Sequence, residues 1–208
     1  MEENLRDAVV VHVDPSCPFA WITACWLREV EQLRGIDLQV RLLSLSVVNE
    51  HRELDAWYRG FNDQAWGPSR VMAAVARKRG PVDARRFYEA FGERFHVQLD
   101  TGDDVDRDAV ARQALADAGL PEQFAAAATD PGRDDDLRAL TRAALEPVGL
   151  DVGVPVTVID GVAASGPVLS AIPRGEAAVA LFDAVRTLAG QDAFVRLERR
   201  RVGKLHVA

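Results

Sequence analysis

The chain has 208 residues, enough for one sizeable domain or for a core domain carrying an insertion. Its apolar fraction of 48% and charged fraction of 27% are globular values and exclude a disordered chain. With 25 Lys and Arg against 32 Asp and Glu the net charge is −7, which leaves no electrostatic footprint for nucleic acid or anionic lipid.

Residues 1–7 are acidic (Glu2, Glu3, Asp7), and the apolar run after them is short. A secretory signal needs a basic start and a longer hydrophobic region, and no later run can span a bilayer; the chain is therefore read as cytoplasmic, with no membrane partner. In a reducing compartment its two cysteines, Cys17 and Cys25, are not a disulfide framework. The β-branched run Ala8–Val13 (AVVVHV) predicts a buried strand. His12 interrupts it and is read as a core or edge histidine with its hydrogen bonds satisfied.

That strand runs into Asp14, Pro15, Ser16, Cys17, Pro18, Phe19, Ala20 and Trp21. A strand that ends in a Cys-Pro turn and opens directly into a helix suits an activated thiol. The free N–H groups and the positive dipole end of the helix both favour thiolate over thiol. Cys17 is the expected catalytic nucleophile, with a pKa expected well below the free-cysteine value of about 8.5. Pro18 falls in the first turn, where its missing N–H costs nothing. Residues 17–34 read as the helix, with Ile22, Trp26, Val30 and Leu33 at helical spacing, Arg28, Glu29, Glu31 and Gln32 opposite, and Gly35 as the stop. Residues 37–48 alternate Leu38, Val40 and Leu42 against Asp37, Gln39 and Arg41, a second strand that completes a parallel βαβ unit.

From about Asn49 to Leu150 the pattern is helical. Segments 62–79, 81–97, 103–118, 121–128 and 134–145 are predicted helices, with Val71, Ala74 and Val75 on the first and Phe87, Phe91 and Phe95 four apart on the second. The third begins with acidic residues and stops at Gly119, Leu120 and Pro121. Asp134, Asp135 and Asp136 are read as surface charge complementing a helix dipole rather than as metal ligands, and no metal is predicted. The sheet resumes over residues 153–159, and Asp160-Gly161 turns the chain into Val162, Ala163 and Ala164, an antiparallel hairpin. A final helix over 176–189 is expected to bury Val179, Phe182 and Val185, with Leu181 undecided. The basic run at 196–204 (Arg196, Arg199, Arg200, Arg201, Lys204) is read as a solvated terminal element. The order β-α-β, helical insertion, β-β-α is that of an α/β thioredoxin-like fold with an inserted all-helical subdomain: residues 1–50 and 151–208 form the two parts of the thioredoxin-like domain, and residues 51–150 the insertion.

A second feature supports Cys17. Val154-Pro155 lies just before a buried strand, where a cis X-Pro bond fits, since proline belongs in the loop and not in a central ladder. In thioredoxin-like proteins such a loop lies against the active cysteine and holds extended substrates through the main chain. That makes Val154 and Pro155 candidate substrate-binding residues, together with Pro18 and Phe19 beside the thiol.

The segment DPSCPFAWIT (Asp14 to Thr23) resembles the DPxCPWCWIT segment of the DsbA-like mycothiol-dependent reductases, also called mycothiol-dependent nitroreductases. The resemblance runs nearly end to end, through SLSVVNEHR from Ser44, AWGPSRV from Ala65, LADAGLP from Leu115, DVGVPVTVIDGVA from Asp151 and GPVLSAIPRGEAA from Gly166. It implies a thioredoxin fold with a helical insertion and reductase chemistry at the motif cysteine. Electrons would come from mycothiol, a small thiol co-substrate, with no tightly bound cofactor. It also implies that Asn49, Tyr58 and His96 lie near the active-site cleft, although a loop cap, a packing aromatic and an ordinary helix-end residue account for them equally well. A homodimer is compatible with the sequence.

The chain departs from the family pattern at two positions: Phe19 stands for its tryptophan and Ala20 for its second cysteine. In a Cys-x-x-Cys motif the second thiol attacks a mixed disulfide formed at the first. Cys25 is no substitute, because eight residues of regular helix separate the Cα atoms by about 12 Å and a disulfide needs them within about 7 Å. Cys25 is read as a small buried hydrophobe. Three functions compete: a monothiol oxidoreductase acting on a disulfide or electrophilic substrate, resolved by an external thiol; a glutathione-transferase-like or isomerase-like enzyme in which Cys17 or Ser16 hydrogen-bonds a cofactor thiol; and a binding module without turnover.

Overall fold

The computed structural model describes residues 8–98, 105–150, 152–200 and 203–208. Strand β1 (Ala8–Val13) buries Val9, Val11 and Val13 while Val10 and His12 are half-buried, so it alternates instead of being enclosed on both faces. Helix α1 (Pro18–Arg34) has Cys17 as its N-cap, Pro18 in the first turn, and a left-handed Gly35 (φ 69°) as its stop. Trp21, Ile22, Trp26 and Val30 are buried, but Leu33 is 51% exposed and leaves the predicted apolar stripe. Strand β2 (Asp37–Leu42) pairs in parallel with β1, Val9 opposite Leu38 and Val13 opposite Leu42.

The second strand was expected to continue to Val48. It ends at Leu42, and Leu45–Val48 form a one-turn helix, α2. The Asp14 carboxylate accepts the Leu45 N–H at 2.8 Å, satisfying a first-turn donor from 31 residues away. Helix α3 (Ala56–Arg79) starts six residues before the expected position because the Asp55 side chain accepts the Tyr58 N–H at 2.9 Å. Helix α4 (Pro81–Gly92) passes into a π-helical turn, Glu93–Gln98. Phe87, Phe91 and Phe95 are buried and packed ring to ring (6.0 and 5.2 Å).

Helix α5 (Arg107–Asp117) is capped by Asp106, which accepts the Asp108 and Ala109 N–H groups at 3.0 Å. Asp103 and Asp104, at the expected start of this helix, lie outside the described residues, as do residues 1–7, Asp151, Arg201 and Val202. Residues 122–129 form 3-10 turns where a helix was expected. Helix α6 (Asp134–Leu145) has its predicted bounds. Asp134, however, is a buried ion-pair partner rather than surface charge, with Arg70 Nε and Nη2 on its two oxygens at 2.7 and 2.8 Å.

Strands β3 (Val156–Ile159) and β4 (Val162–Ser165) form the expected hairpin, and the sheet order is β2-β1-β3-β4 with β3 antiparallel to β1. Helix α7 (Gly175–Ala189) buries Ala178 and Phe182, while Val179, Leu181 and Val185 are half-buried. Trp26 Nε1 donates to the Ala178 carbonyl at 2.9 Å and ties α7 to α1. One core cluster runs from β1 and α1 through α3, α4 and α5 to Leu137 of α6, so the helical block shares its packing with the sheet layer. The basic terminal residues Arg196, Arg199, Arg200 and Lys204 are exposed. Among the described residues no helix is long and apolar enough to cross a membrane, and no cluster of His, Cys, Asp or Glu could hold a metal ion.

Candidate active site

Cys17 sits where the sequence places it, at the junction of the β1 loop and α1, with its N–H donating to the Asp14 carbonyl at 3.0 Å. The Phe19 and Ala20 backbone N–H groups are directed at the thiol and favour its charged form. They do not prevail. Cys17 is only 5% exposed, and burial, reinforced by the nearby Asp14 carboxylate, pushes its thiol up to about 12. The expected low pKa is overturned for this closed arrangement: desolvation of a thiolate outweighs two amide donors and a helix end. Cys25, also free, lines a cavity of about 10 Å³ together with Trp21, Tyr88 and the β2 residues Leu38 and Val40. That volume admits no substrate.

Asp14 organises the loop beneath the thiol. Its carboxylate accepts the Ser16 N–H at 2.8 Å, the Leu45 N–H at 2.8 Å and the Ser69 hydroxyl at 3.3 Å, joining the thiol loop to α2 and α3. Burial raises its pKa to about 6 against these hydrogen bonds and the Arg107 charge. Arg107 donates to the Phe61 carbonyl at 2.7 Å and lies over the Phe61 and Phe95 rings.

His96 reaches the same loop from the π-helical turn. Its Nε2 is 2.9 Å from the Pro15 carbonyl, which can only accept, so Nε2 carries the proton. Burial, with Arg107 adding to it, lowers its pKa to about 4, and Nδ1 is buried with no hydrogen-bond partner among the described residues. Among the described residues the Ser16 and Ser44 hydroxyls and the Tyr88 phenol are buried without a partner as well. His12, expected to be satisfied, also has a buried Nδ1 without a partner among the described residues, and burial lowers its pKa to about 4.

Asn49 and Tyr58 meet. Asn49 ends α2, and its Nδ2 lies 3.0 Å from Asn62 Oδ1 and 3.4 Å from the Tyr58 hydroxyl. Ser46 Oγ donates to the Asn62 carbonyl at 2.6 Å, so this pair connects to the thiol loop through α2 and Asp14. Asn49 is thus both a helix cap and a member of a polar cluster. Pro18 and Phe19 are half-buried at the start of α1, with Phe19 packed on the core. The Val154–Pro155 peptide bond is cis, and so is Gly166–Pro167. Because His12 pairs with Val156, the Val154–Pro155 loop enters the sheet at the end of β1 that leads to Cys17. Sequence reasoning missed Asp14, Trp21 and Arg107 as site residues. Asp14 was inside the quoted motif, while the Arg107 contacts carry no local signal.

These buried groups make stability depend on pH. His12 and His96 are neutral in the folded chain down to about pH 4, whereas unfolded histidine protonates near 6.5; their contribution is present above 6.5 and lost as pH falls. Asp14 has the opposite sense: the folded chain binds its proton below about pH 6, before the unfolded chain does. Two protons on the unfolded chain against one on the folded chain leave a net difference of about one, or roughly 1.4 kcal/mol lost per pH unit between 6 and 4. Urea melts at pH 6 and 4.5 should show this loss, and Asp14→Asn should steepen it. A profile that is flat or rises on acidification contradicts the assignment.

Residues 16–199 match the family model described as mycothiol-dependent nitroreductase Rv2466c. The uncharacterized protein Rv2286c of Mycobacterium tuberculosis is 34% identical over 190 residues, covering 90% of this chain and 80% of that protein. Among solved structures, the probable DsbA oxidoreductase SCO1869 from Streptomyces coelicolor has a TM-score of 0.55 at 18% identity, covering 95% of this chain and 94% of that one. A periplasmic thioredoxin-like protein from Salmonella enterica serovar Typhimurium has a TM-score of 0.53 at 16% identity, covering 91% and 87%. At these identities the two structures establish the fold, a DsbA-like thioredoxin core with a helical insertion.

Proposed function

The chain belongs to the Rv2466c-like family of mycothiol-dependent nitroreductases, and from that membership we propose that it is a monothiol thiol-disulfide oxidoreductase using mycothiol or a similar small thiol as co-substrate. One observation carries the reading: Cys17 stands at the N-cap of α1 with two backbone N–H groups directed at its sulfur, and no second thiol of the chain is within reach. Ala20 is fully buried, and α1 runs unbroken from Pro18 to Arg34, which keeps Cys25 two turns away.

The exchange has two steps. On opening to substrate, the Cys17 thiol loses its proton and the Phe19 and Ala20 amides hold the thiolate. The sulfur attacks one sulfur of a disulfide; that S–S bond breaks, a Cys17 mixed disulfide forms, and the departing thiolate takes up a proton. A small thiol from solution then attacks the mixed disulfide, releasing Cys17 and a new small-molecule disulfide. Pro18, Phe19, Val154 and Pro155 flank the substrate, Tyr58 lines the approach, and the buried Asn49 and His96 support the site from behind. Mycothiol dependence and the absence of a pairable cysteine fit a cytoplasmic setting.

The burial of Cys17 favours a second reading. A thiol pushed up to about 12 remains a hydrogen-bond donor, as a transferase-like enzyme needs to hold a cofactor thiolate. Intact-mass analysis after treatment with an oxidised small thiol decides between them. A single adduct on Cys17, removed by excess thiol, is the expected result; no adduct on Cys17 in folded protein overturns the oxidoreductase reading.

A further inference from the structure

One residue of α1 joins the thiol loop to the C-terminal segment. The Trp21 backbone N–H donates to the Cys17 carbonyl at 3.0 Å, and its side chain is 1% exposed. The indole stacks on His96 (centroids 5.7 Å, planes 22° apart), tilts against Tyr88 at 5.9 Å and lies under the Arg28 guanidinium at 5.9 Å. A buried indole N–H needs an acceptor, because an orphaned donor carries its full desolvation cost. Here the acceptor is the Val207 carbonyl at 3.0 Å, supplied from 186 residues away.

Among the described residues, three contacts anchor the segment that brings Val207. The His206 N–H donates to the Ser170 carbonyl at 2.9 Å, Ala171 and His206 form an isolated parallel bridge, and Val207 packs on the core. Residues 191–200, which lead to it, form neither helix nor strand, and Val195 and Leu197 are 92% and 80% exposed. A segment that follows an exposed stretch without helix or strand belongs to the less stable part of a fold.

We infer that residues 205–207 form a clasp that positions Trp21 and, through its stacked face, His96 and the Pro15 carbonyl, holding the Cys17 loop closed. Trp21 is a positioning residue, and the clasp sets how readily the thiol is reached. The inference rests on Cys17 being the reacting group, but its test reads thiol accessibility and not turnover, so it stands or falls separately from the proposed reaction.

The experiment uses a Cys25→Ala background, so that iodoacetamide reports on Cys17 alone, and far-UV circular dichroism shows that each variant is folded. Removing Val207 and Ala208 should speed Cys17 alkylation at pH 8 about three-fold or more, as should Trp21→Phe, which keeps a stacking ring but has no N–H to hold. Because both changes break the indole–Val207 bond, the truncation should add much less in the Trp21→Phe chain than in the unmutated one, and the alkylation pH profiles of the three variants should have the same shape. An unchanged rate on truncation overturns the clasp. Additive acceleration in the combined variant overturns it too, because the tail would then act elsewhere than on the indole.

Discussion

Cys17→Ser is expected to bring thiol transfer down to background, a loss of roughly a thousand-fold or more. A serine oxygen cannot form the mixed disulfide on which both steps depend, and its hydroxyl is far less readily ionised than a thiol. The fold should survive the change, because Cys17 is the N-cap of α1 and serine is among the preferred residues there. The loss is therefore chemical and should appear with unchanged thermal stability. Cys25→Ala is the control. Its side chain is 3% exposed on the β2-facing side of α1, so it should cost some stability and leave thiol transfer intact. Transfer rates for purified Cys17→Ser above about a tenth of wild type would remove Cys17 from the reaction.

Gly92→Ala is expected to cost roughly 3 kcal/mol or more, near the upper end for overpacking, and to lower Tm by about 6–12 °C in a chain of this size. A methyl group at Gly92 would lie 2.1, 2.2 and 2.8 Å from Trp21 ring atoms. The ring has no free direction: His96 covers one face, Tyr88 and Arg28 flank it, and Val207 holds its N–H. Either α4 moves away from α1 or the indole leaves its stack, and both disturb the π-helical turn that carries His96. Stability should fall together with the Val207 and His96 contacts, so Cys17 alkylation should also become faster. Differential scanning calorimetry giving a Tm within 2 °C of wild type would show that the helices are not locked around this ring.

Asp14 has a different place from the thiol and the ring. It contributes through position, since donors from the thiol loop, α2 and α3 converge on one buried carboxylate. Its charge also raises the Cys17 pKa, adding to the larger effect of burial. A group that orders the loop thereby opposes ionisation of the residue it orders, which fits a thiol kept inert until the site opens.

Much of this molecule follows from its sequence alone, because local rules govern it. A β-branched run marked β1 and alternation marked β2, Pro18 and Gly35 bounded α1, Asp160-Gly161 made the hairpin, and the spacing of Phe87, Phe91 and Phe95 marked a buried helical face. The placement of Cys17 at a helix start, and the lack of a partner at position 20, were equally legible, since both are statements about spacing along one helix. What sequence could not supply was burial and contact between distant segments. The segment after Leu42 became α2 because Asp14, far back in the chain, caps it, and His96 joined the thiol loop because α4 widens into a π turn. The ionisation of Cys17 was decided by tertiary structure for the same reason. A helix end is visible in the sequence, but desolvation depends on every segment that closes over the sulfur, and here it outweighs the local field.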